Sequence, residues 1–246
     1  MTARPRVVTF NIASIDGRIG FPDRLLLEGD PRWDAISRRP GVTLADMDAL
    51  HGPDARLGGS NSFVAADAPP LDLPMPAQAH GLYDDFVPDG PARWFTAVDS
   101  RGRVRWSYKE MGGWHLLVLV AAATPAGYLA FLREEGIPYL VVGDERVDLA
   151  VALTQLQERL GVRTVVADGG GRLNGALLRA GLVDEVDIQF LPAVIGLADA
   201  PSLFEGFGVG DGDEPLGLTP IALEDQGQGF FFVRYSVGGG GLLAGS

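Results

Sequence analysis

Residues 165–175 read VVADGGGRLNG, and this stretch decides the fold. Val165, Val166 and Ala167 are small or β-branched apolar residues of the kind that fill a strand buried on both faces. Asp168 and three glycines interrupt the run. Leu173, Ala176, Leu177 and Ala180 then recur at helical spacing, and Gly181 supplies a terminator. A buried strand, a glycine turn and an amphipathic helix form the repeating half-unit of an α/β sheet. Lacking side chains, Gly169, Gly170 and Gly171 allow a ligand close to the backbone. The first helical residues, Arg172, Leu173 and Asn174, add unpaired N–H groups and the positive end of a helix dipole. Such a turn suits a pyrophosphate or a 2′-phosphate. Its spacing is not G-x-G-x-x-G, because Asn174 stands where the last glycine would be, and no Gly-Lys-Ser/Thr follows. Tight strand–helix packing would demand the same glycines, so the local sequence leaves both readings open.

Working outward, the pattern repeats. Strands are expected at 92–98, 116–121, 138–142, 163–167 and 183–191. Thr124–Pro125 reads as an N-cap with proline at the first helical position, opening a helix to Gly136. Asp148 caps a helix with Leu149, Leu153, Leu156 and Leu160 on one face, ended by Gly161. Near the start, 7–10 is a strand, and Thr43 caps a helix through Leu50 with Asp46 at the capping-box position. Residues 216–223 and 229–237 are strands with no helix between them, hence an antiparallel hairpin. These elements predict an α/β fold: a mixed, mostly parallel sheet with helices on both faces. A single domain over 1–246 is expected, with a long loop at 66–91, a short helix near 83–86 and a loose tail at 238–246.

With 46% hydrophobic residues in 246, the chain can bury a full core. No apolar run reaches the roughly 18 residues a membrane span requires, and MTARPRVVTF lacks an apolar signal core, so a cytoplasmic protein without a membrane partner is expected. A net charge of -12 argues against nucleic acid as a partner. The absence of cysteine excludes disulfides, thiolate nucleophiles and Cys-type zinc sites. His51, His80 and His115 lack metal-ligand spacing, so no metal is expected, and no Gly-x-Ser-x-Gly elbow is present. Trp33, Trp94, Trp106 and Trp114 read as core or interface residues. Asp16, just before Gly17, is either an acid/base group or an Asx-turn residue.

Four segments in order, NIASIDGRIG (11–20), GGSNSF (58–63), VDSRGRV (98–104) and VVADGGGRLNGALLRAGLVDEVDIQFLPAVIG (165–196), carry a resemblance over most of the chain. Together they resemble the C-terminal reductase domain of the bifunctional deaminase/reductase of riboflavin biosynthesis, a relative of dihydrofolate reductase in fold. The likeness is weakest over 21–51 and 66–91. It implies a dihydrofolate-reductase-like three-layer sandwich and an NADPH-dependent oxidoreductase similar to 5-amino-6-(5-phosphoribosylamino)uracil reductase. The substrate would be a small heterocycle or pyrimidine ribosylamine, and the assembly a homodimer. Ala13 would then line the nicotinamide side, with Asp16 and Gly17 closing the turn beside it. Ser62 and Ser100 would touch the cofactor, Ser100 at the ribose phosphate. Gly169, Gly170, Gly171, Arg172, Leu173 and Asn174 would hold the phosphates. Asp168, where the family usually has glutamate, would face the substrate and, with Asp16, stands as the catalytic candidate.

Two departures bear on this. The deaminase half of the family carries a His-x-Glu and Pro-Cys-x-x-Cys zinc site, which a chain without cysteine cannot build. After Ser62 the relatives usually continue Asp-Asp-Pro-x-Leu-Thr-x-Arg, whose arginine binds the substrate phosphate. Here the chain reads AADAPPLDLPMPA (65–77): Asp67 and a proline remain, and the arginine does not. Arg18, Arg32, Arg38 and Arg56 are candidates to replace it. A dihydrofolate or other pteridine reductase is the nearest alternative, and an NADPH-binding module without turnover is the alternative of another class.

Overall fold

The computed structural model describes residues 4–23, 30–37, 41–78, 80–87, 93–206 and 215–238. Its elements are β1 (Arg6–Ser14), α1 (Pro31–Ser37), α2 (Leu44–His51), β2 (Ala55–Gly59), β3 (Arg93–Val98), β4 (Glu110–Met111), β5 (Trp114–Val120), α3 (Ala126–Glu134), β6 (Tyr139–Val141), α4 (Leu149–Leu160), β7 (Thr164–Ala167), α5 (Gly171–Arg179), β8 (Glu185–Leu191), β9 (Leu218–Gly227) and β10 (Phe230–Val237). The contacts divide into two compact units, Met1–Pro5 with Pro53–Val165 and Arg6–Gly52 with Val166–Ser246. β7 straddles the division.

In the first unit β2, β3 and β5 run parallel, and the other edge of β5 is shared by antiparallel β4 and parallel β6. Ala97, Leu116, Val118 and Val120 meet Tyr128, Leu129 and Leu132 of α3 in one core. The α4 boundaries follow the sequence signals: the Asp148 carboxylate accepts the N–H groups of Ala150 and Val151, and Gly161 closes the helix at φ +68°. Two expectations fail here. Pro125 itself occupies the N-cap of α3, because the Thr124 hydroxyl is drawn away to the Ser100 carbonyl and the Ala121 N–H. Residues 80–83 form a turn instead of a helix at 83–86, and Phe86 pairs through its backbone with Tyr139.

In the second unit β1 lies parallel to β8, β10 pairs antiparallel with β8, and β9 completes the hairpin. Val8 and Phe10 of β1 pack on Met47 of α2. Asn11, out of step with them, bonds to Asn174 of α5 on the opposite face, so helices flank both sides of this strand. The capping box is complete: Thr43 Oγ1 accepts the Asp46 N–H and the Asp46 carboxylate accepts the Thr43 N–H. The buried stripe of α5 differs from the one expected. Gly171, Asn174, Gly175 and Leu177 are buried, whereas Leu173 and Ala176 are half-buried and Ala180 is exposed. The expected loose tail falls almost wholly at 239–246, outside the described residues. Among the described residues no helix is long and apolar enough to cross a membrane.

Candidate active site

In the second unit Asp168, half-buried, follows β7, and the glycine turn follows it. The three glycines serve different ends. A Cβ on Gly171 would lie 2.0 Å from the Ser202 carbonyl oxygen, and one on Gly175 would lie 2.0 Å from the Glu205 carbonyl oxygen. These two are glycine because residues 202–205 cross the helix there in backbone contact. A Cβ on Gly169 would press on the flexible end of Leu173, at 2.7 Å. Gly170, at the N-cap of α5, is exposed, has nothing within 4 Å of a Cβ, and no side chain caps the helix. An open approach to uncapped N–H groups at a helix N-terminus fits a phosphate.

Asn174 does not face that opening. It is fully buried, and its Nδ2 donates to Asn11 Oδ1 at 2.6 Å, to Leu203 O at 3.3 Å and to Gly169 O at 3.4 Å. Asn11 Nδ2 donates to the same Gly169 carbonyl at 3.0 Å. Leu173 lies over Gly169, and Arg172 points outward, paired with Glu205 at 3.4 Å. Ala13, beside Phe190 in the β1–β8 register, has no exposed surface and can only back a site.

Past the end of β1, the Asp16 carboxylate accepts the Ser14 hydroxyl at 2.6 Å and the N–H groups of Gly196 and Ile195 at 2.8 and 3.1 Å. The Ser14 hydroxyl first, and then those two N–H groups, hold its pKa down to about 2. A carboxylate so held stays ionised at neutral pH and fastens the segment after β8 to the loop after β1. Arg18 donates to the Ala200 carbonyl at 2.8 Å. Arg32 is paired with Asp30 and Asp23 and lies over Phe21, Arg56 lies over Trp114, and Arg38 falls outside the described residues.

In the first unit Ser62 ends a short 3₁₀ turn after β2, and Ser100 follows β3, so both lie at carboxyl ends of parallel strands. The Ser100 hydroxyl accepts the Val147 N–H at 2.9 Å and keeps its own proton for a further partner. Asp67 is exposed on the following loop. Sequence reasoning missed what holds that loop. Arg103, buried, donates to Ser60 Oγ and Asn61 Oδ1 at 2.6 Å each and to the carbonyls of Ala65 and Ala66 at 2.9 and 3.1 Å. Behind it, buried Asp99 accepts the N–H groups of Arg103 and Val104 and the Tyr128 hydroxyl. Burial, and then the Asp99 charge, push the Tyr128 pKa far up, so its hydroxyl stays protonated: it donates to Asp99 and accepts the Trp106 Nε1–H at 2.8 Å. A cavity of about 350 Å³ opens beside this network, lined by Phe63, Leu71, Arg103, Trp106 and Tyr108 among others. The VDSRGRV segment carried Arg103 and Asp99 in plain view, but the groups that the guanidinium donates to are remote in sequence.

The second unit holds a ring of charges equally invisible in sequence. His51 Nε2 meets Asp187 Oδ2 at 2.8 Å and Nδ1 meets Arg6 Nη1 at 3.1 Å; Arg6 also pairs with Glu185, and Arg234 pairs with Glu185 at 2.6 Å and Asp187 at 3.5 Å. Burial raises the Asp187 pKa, aided by the Glu185 charge and opposed by His51. Burial also pushes Glu185 up, but the two arginines outweigh it and hold it low. His51, Glu185 and Asp187 are close enough to share a cation. Two guanidiniums already neutralise the carboxylates, so the ring reads as an ion-pair network and not as a metal centre.

A mostly parallel α/β fold, with a glycine turn and serine-bearing turns after its strands, defines a protein that holds ligands at carboxyl strand ends. Within that class the chain belongs to the RibD C-terminal domain family, whose model matches residues 5–231. It is 30% identical over 204 residues to the 2,5-diamino-6-ribosylamino-4(3H)-pyrimidinone 5′-phosphate reductase of Archaeoglobus fulgidus, covering 82% of this chain and 87% of that one. The reductase of the same name from Methanothermobacter thermautotrophicus is 32% identical over 157 residues, 63% of this chain and 67% of that one. In fold it is similar to a pyrimidine reductase-like protein from Corynebacterium diphtheriae, with a TM-score of 0.64 at 19% identity over 95% of this chain and 92% of that one. It is also similar to RibD of Acinetobacter baumannii, with a TM-score of 0.62 at 18% identity; the match takes in 96% of this chain and 58% of that one. The resemblance carried by the four motif segments is thus a family membership.

Proposed function

We propose that the protein is an NADPH-dependent reductase acting on 2,5-diamino-6-ribosylamino-4(3H)-pyrimidinone 5′-phosphate or a closely related pyrimidine ribosylamine, as a cytoplasmic homodimer built from one reductase domain. The observation that carries this is the family match over residues 5–231, with the open, uncapped glycine turn inside it. NADPH, when bound, supplies the hydride for a C=N or C=O carbon of the ring-opened sugar amine. The chain's own residues bind and orient. Gly170 and the N–H groups of Gly171 and Arg172 are suited to the phosphates. Asp168, half-buried just after β7, is assigned the hydrogen bonds to ring N–H groups of the substrate. Asp16, held by three donors, positions the loop after β1.

In sequence the apolar strand GFFFVRYSV (229–237) reads as a sticky free edge that a homodimer would cover, but the edge lies one strand further out. β10 is paired on both sides, so it is no free edge; the outer strand is β9, which exposes Ile221 and Leu223. Fluorescence titration with NADPH, followed by loss of the nicotinamide absorbance on adding the pyrimidinone phosphate, tests the proposal. Failure to bind NADPH would remove it, and binding without oxidation would favour the module without turnover.

A further inference from the structure

Residues 200–206 form a strap tied along both sides. On one side the Ile19 N–H donates to Pro201 O at 2.9 Å, the Leu203 N–H donates to Gly17 O at 3.1 Å, and Arg18 pairs with Ser202 as an antiparallel bridge. On the other, the Glu205 N–H donates to Gly171 O at 2.8 Å, and the strap's carbonyls fill the space above Gly171 and Gly175. Between the two lies Asn174. Its single amide group reaches the strap at Leu203 O, the glycine turn at Gly169 O, and β1 at Asn11. No other polar side chain among the described residues of α5 is fully buried.

We infer that Asn174 is a positioning residue which, with the strap 200–206, fixes the loop 15–18 relative to the Gly169–Gly171 turn, so that two parts of one dinucleotide are gripped together. This rests on the NADPH reading and gives it a mechanical basis. Two contact regions held at a set spacing bind a two-part ligand as a chelate, because the second contact forms at high effective concentration. Loosening the strap removes that advantage and leaves each region's own affinity unchanged. It also explains why a residue aligned with the cofactor phosphates is turned away from them.

The test compares NADPH with 2′-phospho-ADP-ribose, which keeps the phosphates and lacks the nicotinamide, on the wild type and on Asn174→Ala. The wild type should bind NADPH more tightly than the fragment. In the variant the fragment's Kd should stay within about twofold, while the NADPH advantage falls by roughly tenfold. The KM for NADPH should rise together with a fall in kcat, as the nicotinamide loses orientation. In the ligand-free protein, hydrogen exchange at the Ile19 and Leu203 amides should quicken. Glu205→Ala is the second variant: it removes the Ser202 N–H bond inside the strap and the strap's tie to Arg172 of α5 without opening the core, and should act in the same direction if Asn174→Ala does not fold. Equal weakening of both ligands, no loss for either, or a wild type with no NADPH advantage would overturn the inference while leaving the reductase reading intact. A wild type that binds neither ligand removes both.

Discussion

Replacing Gly171 by alanine separates packing from ligand binding at the turn. The new Cβ would stand 2.0 Å from the Ser202 carbonyl oxygen and 3.1 Å from Glu205 Cγ. Ordinary contact begins near about 3.4 Å, so the strap must retreat by more than about 1 Å. Such overpacking costs about 1–3 kcal/mol. The Glu205 N–H bond to Gly171 O, 2.8 Å long, is weakened by the same movement, at about 1 kcal/mol. Replacing glycine in a helix returns about 0.5–1 kcal/mol. The balance is a loss of about 1–3.5 kcal/mol, or a Tm lower by roughly 2–14 °C for a chain of this size. Gly175→Ala should behave alike, with the Glu205 carbonyl in the way. Gly170→Ala should not: its φ of −72° and ψ of 168° suit any residue and its Cβ would meet nothing, so stability should hold within about 0.5 kcal/mol while NADPH binding weakens. Urea unfolding followed by tryptophan fluorescence reads all three. A Gly171→Ala protein as stable as the wild type, or a Gly170→Ala protein as unstable as Gly171→Ala, would refute this division of labour.

Other substitutions probe the remaining networks. Asp16→Asn should cost about 1 kcal/mol, allowing for its solvent exposure, and should quicken amide exchange at Ile195 and Gly196. Because the folded pKa of Asp16 lies below its ordinary value, its contribution is present in full above about pH 4 and is lost as the pH falls toward about 2. A limb of the pH–rate profile near neutrality that vanishes in Asp16→Asn would instead make it an acid/base group. Arg103→Ala should destabilise by about 3 kcal/mol and loosen the loop around Asp67, since it strands Asp99 and two carbonyls; limited proteolysis that leaves 60–70 as resistant as before would contradict that. His51→Phe should cost about 3 kcal/mol near neutral pH by leaving Asp187 without its ring partner. With the Asp187 pKa raised, protonation removes the stranded charge in acid, so the penalty shrinks as pH falls, and a pH-independent penalty would argue against an ionised Asp187.

The elements that could be read from sequence are those set by neighbours in the chain. The Asp148 cap, the Thr43–Asp46 box and the left-handed Gly161 depend on groups within four residues, and they stand where the spacing put them. Thr124 shows the limit: its hydroxyl serves a carbonyl from a distant turn, and the helix starts without it. The glycine turn is the sharper case. Sequence could not choose between packing and phosphate because the packing partner, residues 202–205, lies beyond the next strand. Packing accounts for Gly171 and Gly175, while Gly170 leaves open the approach that the phosphate reading needs. The order within the C-terminal hairpin was equally hidden. Phe230 and Phe232 are buried and draw β10 inside, leaving the more polar β9, with Glu224 and Asp225, at the edge. Arg103 and the His51 ring went unread because each joins residues brought together only by the folded sheet.

The reaction proposed is hydride transfer from NADPH to a pyrimidine ribosylamine. Its most direct test is incubation of the protein with NADPH deuterated at both C4 positions and 2,5-diamino-6-ribosylamino-4(3H)-pyrimidinone 5′-phosphate, with the product read by mass spectrometry. The cofactor should be consumed, and the reduced product should carry one deuterium atom for each NADPH spent. NADPH that binds and remains unoxidised, or a product without deuterium, would contradict it.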